Sequence, residues 1–208
     1  MGKKEIYLIR HGETESNKKG IFRGRLDIPL SDTGREQAKF TKDYFNTINI
    51  EVVFSSPLIR AVETAEIIFP EKEIIIEERL NNLDLGSWSG IEKEKIKKEN
   101  PERWKLWTET PEKIVFPNGE SIRDVYKRVC NLFEFIKTMK YEKISLISHR
   151  SVLKTLIACA VGLKNDFFWK FHLDNASVST LIYDKKRGYV LYKLNDTSHL
   201  KSFVTEWF

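Results

Sequence analysis

Cysteine and histidine are scarce in this chain, whose 208 residues carry two and four of them. Two cysteines make no disulfide framework, and neither Cys130 nor Cys159 stands in a C-x-x-C pair. Both fall in helical patterns as small apolar residues, and a reducing cytoplasm is the expected compartment. Four histidines leave little room for a histidine-rich metal centre, so each is weighed singly. Long apolar runs are also missing. The most apolar stretch, residues 155–163, falls far short of the roughly 20 residues that span a bilayer. The N-terminal run, residues 6–9, is cut by Arg10 and is too short for the core of a signal peptide. No membrane association is expected. An excess of one charge is nearly absent: 35 Lys and Arg face 30 Asp and Glu, a net +5. These charges are spread along the chain, whereas a nucleic-acid-binding protein concentrates them; a small anionic ligand fits as well. No glycine-rich loop ends in Gly-Lys-Ser/Thr, which argues against a nucleotide kinase.

What is present has globular proportions, 41% apolar and 31% charged, in a length that suits one domain, 1–208. Apolar runs alternate with helical patterns in the order of a parallel sheet. Residues 5–10 (EIYLIR), 51–55 (EVVFS), 73–76 (EIII) and 143–148 (KISLIS) are expected strands. Residues 178–183 and 189–194 are two late strands around a turn at 185–188. Ser31, Asp32 and Thr33 offer helix caps, Pro57 opens a helix bearing Ala61, Ala65 and Ile68, and residues 152–161 form an apolar helix. The expected fold is an α/β three-layer sandwich with a mainly parallel central sheet. Residues 84–118 break the rhythm with Trp88, Trp104, Trp107 and three prolines. They form a short helical insertion, either a solvated cap gripping the core through its tryptophans or a substrate lid. The tail from residue 194 ends in Trp207 and Phe208, as an edge that docks a second subunit into a homodimer or as a strap onto its own domain.

The chemistry gathers at strand ends. Arg10–His11–Gly12 closes the first strand, Ser55–Ser56–Pro57 with Arg60 the second, and Ser148–His149–Arg150 the fourth. Ligands of open α/β sheets bind outside the carboxyl ends of strands. Two imidazoles and two guanidiniums therefore meet in one crevice. Imidazole is a competent nucleophile near neutral pH, and guanidinium forks match phosphate oxygens. Such a set suits phosphoryl transfer through a histidine. His11 attacks phosphorus while Arg10, Arg60 and His149 neutralise the oxygens, with no metal required.

These segments resemble the histidine phosphatase (phosphoglycerate mutase-like) superfamily over nearly the whole chain. LIRHGETESN is similar to its signature, with His11 in the place of the phosphorylated histidine. Arg10 and Asn17 match phosphate-contacting residues, and FRGRLDIPLSDTGREQA sets Arg23 and Gly24 at the pocket border. SSPLIRAVETA carries the family arginine as Arg60, PNGES at 117–121 is a familiar segment, and SHR supplies His149. The resemblance implies a phosphatase acting on a small phosphorylated metabolite through a phosphohistidine, without cofactor. A phosphomutase and a weakly active phospho-ligand-binding subunit are the alternatives.

Departures from the family pattern matter more than the matches. In R-L-x-E-x-x-x-G the family places a proton-donating glutamate where this chain has Asn82, and an amide delivers no proton. Asp84 is the nearest substitute, pointing to the same side as Asn82 if the stretch is extended. Its alternative is a loop residue with no catalytic part. Arg150 stands where glycine is common, either as an added cation or turned to solvent. Leu85 stands where the family's phosphoserine enzymes place histidine, which weakens any transfer of their substrate. The short insertion tilts the choice from mutase to phosphatase. Glu13 is expected to brace the signature loop, and His172 and His199 to serve packing or surface.

Overall fold

The computed structural model describes residues 3–201; Trp207 and Phe208 lie outside the described residues. A central sheet is built from β1 (Lys4–Arg10), β2 (Val52–Ser55), β3 (Ile74–Ile76), β4 (Lys143–Ser148), β5 (Val178–Asp184) and β6 (Gly188–Asp196). Their order is β3-β2-β4-β1-β5-β6. The first four are mutually parallel, and β5 and β6 add an antiparallel edge. This is the expected mainly parallel α/β sheet, closed by the hairpin read from the turn at 185–188.

Side-chain alternation along each strand feeds two cores, one per face. Ile6, Leu8, Val52, Phe54, Ile144 and Leu146 face one core, and Tyr7, Ile9, Val53 and Ile147 face the other. Helix α1 (Glu15–Lys18) is a single turn after the signature loop. Helices α2 (Asp32–Tyr44) and α3 (Ile59–Ile68) cover the second face with Ala38, Ala61, Ala65 and Ile68. The N-terminus of α2 is fixed by Ser31, whose Oγ accepts the Gly34 N–H at 3.1 Å, satisfying one of the first-turn donors.

Past the sheet's third strand the insertion holds α4 (Lys93–Glu99) and α5 (Pro101–Glu109). Pro101 opens α5 where its missing N–H costs nothing. The charged run of α4 is exposed apart from Ile96 and the half-buried Lys93, so it is mainly a solvated face. Trp88 and Trp107 are buried against Phe22 and Phe116, fastening the insertion to the first core. Helix α6 (Ile122–Thr138) starts from a capping box made by Ser121 and Asp124 and packs beside α7 (Arg150–Ala160) on that core.

One expectation is corrected here. Cys130 on α6 and Cys159 on α7 form a disulfide with Cα atoms 6.0 Å apart. The pairing is set by which helices lie side by side on the sheet, and a separation of 29 residues carries no local signature of it. Among the described residues no helix is long and apolar enough to cross a membrane.

Candidate active site

His11 follows the last residue of β1, with its N–H donating to Ser148 O on the neighbouring strand end at 3.0 Å. Its Nδ1 lies 2.7 Å from Gly12 O. A carbonyl only accepts, so Nδ1 carries the proton and the lone pair sits on Nε2. Burial, reinforced by Arg60, Arg10 and Arg23, holds its pKa well below the ordinary histidine value. The ring is therefore neutral and nucleophilic at pH 7. The backbone of this loop is fixed from below by Asn175, whose Nδ2 donates to His11 O and Gly12 O at 3.0 and 3.2 Å. Gly12 is required by close approach: a Cβ there would lie 2.5 Å from Gly34 O at the start of α2. Glu13 braces the loop as expected, its carboxylate accepting the Ser31 hydroxyl at 2.9 Å.

His149 caps α7 at the end of β4, its ring centroid 5.1 Å from that of His11. Ser56, at the end of β2, holds its Nε2 at 2.7 Å. The Ser56 hydroxyl oxygen also accepts the Leu58 N–H, at 3.4 Å. With the hydroxyl proton given to Nε2, His149 carries its own proton on Nδ1, which is buried and has no partner in the protein. Burial, then Arg60 and His11, pushes its pKa well below the ordinary value.

The cations converge on the two rings. Arg10 is anchored through Nη1, which donates to Leu173 O at 2.7 Å. Arg60, fully buried on α3, donates to Leu26 O at 2.7 Å and Gly24 O at 3.0 Å, and its Nε has no partner. Burial beside Arg23 lowers its pKa, a penalty that a bound anion relieves. Asn17 on α1 accepts the Thr14 N–H through Oδ1 at 2.8 Å, leaving its buried Nδ2 unpartnered. A buried donor without a partner costs about 1–3 kcal/mol. Asn17 Nδ2, Arg60 Nε and His149 Nδ1 are thus buried donors that an anion would satisfy.

The cleft above them is lined by Arg10, His11, Arg23, Gly24, His149 and Asn82, with Lys93, Arg150 and Ser151 among its other polar members. Phe22, Leu83, Leu85 and Trp107 supply apolar wall. Arg60 and Asn17 stand behind this lining.

Asn82 reaches the cleft and Asp84 does not. The Asn82 amide donates to Gly24 O at 2.8 Å, while its Oδ1 accepts the Leu83 N–H at 2.9 Å. Asp84 accepts the Gly86 N–H at 2.9 Å, and its other oxygen lies 3.7 Å from Arg25. Its own N–H donates to Glu120 at 3.1 Å. Glu120, from the PNGES segment, also binds Arg25 at 3.0 Å and Arg128 at 3.2 Å, tying three loops together behind the site. Ser56 and Glu120 fall in segments that the sequence singles out, but their bonding partners, like the places of Lys93 and Trp107 on the cleft wall, come from distant segments and have no local signal. His172 pairs with Asp174 at 2.9 Å, and His199 sits between Thr41 and Ala176 O, so both serve packing.

Known proteins resemble this chain over most of its length. The histidine phosphatase superfamily (branch 1) matches residues 6–197. Phosphoserine phosphatase 1 of Hydrogenobacter thermophilus is 35% identical, covering 97% of both chains. The phosphoglycerate mutase of Schizosaccharomyces pombe is 32% identical, over 92% of this chain and 95% of its own. The structure of Bacillus stearothermophilus YhfR superposes with a TM-score of 0.88 at 28% identity, covering 94% of this chain and 98% of that one. The chain belongs to the histidine phosphatase superfamily, branch 1. Its activity is that of a phosphoric monoester hydrolase on a small phosphorylated metabolite.

Proposed function

We propose that hydrolysis runs through a phosphohistidine on His11, with Arg10, Arg60, His149 and Asn17 holding the phosphoryl group and Arg23 and Gly24 bordering it. The observation that carries this is the tautomer of His11: the bond to Gly12 O leaves Nε2 as the free lone pair between buried cations. Nε2 forms a bond to phosphorus as the ester P–O bond breaks, and the electron pair leaves on the ester oxygen. Water then attacks phosphorus and the P–N bond breaks, giving dihydrogen phosphate and neutral His11. Charge on the phosphoryl oxygens is met by guanidinium and imidazole donors fixed in place beforehand, so no metal is part of the scheme.

Asp84, expected as a substitute acid, stands behind the cleft with its carboxylate on Gly86 N–H and near Arg25, and this scheme gives it no proton transfer. A phosphomutase is the second reading, favoured by the Schizosaccharomyces relative; it would return the phosphoryl group to an organic acceptor. The enzyme is read as one domain, 1–208, and as cytoplasmic. Cytoplasmic placement has to be set against the Cys130–Cys159 bond, since a reducing compartment keeps such pairs as thiols. A homodimer through the open edge of β6, where Tyr192 is exposed, belongs to the same proposal.

The test is phosphate release from a broad panel of phosphomonoesters in chelator. Wild type is expected to turn over at least one of them and His11→Ala none. Turnover by His11→Ala would refute the mechanism, and transfer without phosphate release would favour the mutase.

A further inference from the structure

The cleft holds cations and imidazoles but, among the described residues, no carboxyl group lines it. Expelling an alkoxide from phosphorus needs a proton delivered to the ester oxygen, and a positioned acid contributes about 10²–10⁴ in rate. No carboxylic acid on the cleft wall, among the described residues, supplies that proton. The Asn82 side chain gives its N–H to Gly24 O and takes the Leu83 N–H, so it positions the 23–25 loop. The Asp84 carboxylate is engaged by Gly86 N–H and faces Arg25. Lys93 and Arg150 also line the cleft. Phe22 and Trp107, packed edge to face with ring centroids 5.8 Å apart, add apolar atoms to the same wall.

We propose that the substrate is the phosphate ester of an acidic hydroxyl, an enol or a phenol, whose oxygen departs as a stabilised anion without protonation. This rests on the phosphohistidine mechanism and narrows its substrate class. The ester oxygen takes the P–O electron pair as His11 Nε2 bonds to phosphorus. Its charge spreads over the unsaturated leaving group and is met by Lys93 and Arg150. The leaving anion takes its proton from solvent after release.

The experiment is a leaving-group series on the wild-type enzyme: 4-nitrophenyl phosphate, phenyl phosphate, phosphoenolpyruvate, glycerol phosphate and O-phosphoserine, each read as kcat/KM. The expected result is a steep fall with leaving-group basicity, with both alkyl esters slower by about 10²–10⁴, the contribution of the missing acid. Asn82→Glu is expected to narrow that gap by tenfold or more and to introduce an alkaline limb in the pH profile for alkyl esters. Alkyl esters cleaved as fast as aryl esters would overturn the proposal, as would a loss confined to alkyl esters in Asp84→Asn or Lys93→Gln. The wild-type series decides even if Asn82→Glu fails to fold. Failure of the mechanism beneath it looks different: no ester releases phosphate, or His11→Ala retains turnover.

Discussion

Lys154 is a buried lysine outside the reaction. It lies buried on α7, one turn beyond Arg150, with its ammonium 5.0 Å from the Phe168 ring and 4.6 Å from that of Trp169. Burial, then Arg150 and Arg10, pushes its pKa down to about 6. The unfolded value is about 10.4, so between pH 6 and 10 the unfolded chain holds a proton that the folded chain lacks. Stability from this group therefore rises with pH across that window. Lys154→Met removes the buried charge and is expected to stabilise by about 1–4 kcal/mol below pH 6, with the gain vanishing towards pH 10. Chemical denaturation at pH 5.5 and pH 9 checks this, and an equal gain at both would contradict it. Such detail is illegible in sequence, where Lys154 is one lysine among many. His11 and His149 were legible because they end strands. The Ser56 hydroxyl that orients His149 was not, because 93 residues separate the two.

Elements carry the legible part of the fold. The four parallel strands follow from short apolar runs, three of them buried and β3 an exposed edge, α2 from its Ser31 cap, and the late hairpin from its turn, all of them local signals. Contacts between elements are not local. The disulfide between α6 and α7 and the link from Glu120 to Arg25 and Arg128 depend on the packing of segments far apart in the chain. Closing a loop of this length removes unfolded-state entropy worth about 3–4 kcal/mol. Replacing both cysteines by serine is expected to lower unfolding stability by that amount. Reductant should cost wild type the same and the double variant nothing. Free thiols in unreduced wild type would contradict the pairing.

At the scale of the molecule, sheet order turns separate strand ends into one site. Placing β4 between β1 and β2 sets His149 between His11 on one neighbour and Ser56 on the other. The insertion then walls the cleft with Lys93 and Trp107 while Trp88 and Trp107 hold it to the core. Trp107 is thus shared between the grip on the core and the wall of the cleft. Among the described residues no carboxyl group lines the cleft, and this has the same origin, since the loop bearing Asn82 is held down on Gly24 and Asp84 lies towards Arg25. Everything proposed for the chemistry depends on the His11 lone pair. Rapid acid-free quenching of the enzyme with 4-nitrophenyl phosphate, followed by peptide mass mapping, tests it most directly. The account predicts one phosphoryl group on the His11 imidazole, formed and lost at rates compatible with turnover and absent in His11→Ala. Turnover with no such adduct, or a phosphoryl group on any other residue, would contradict it.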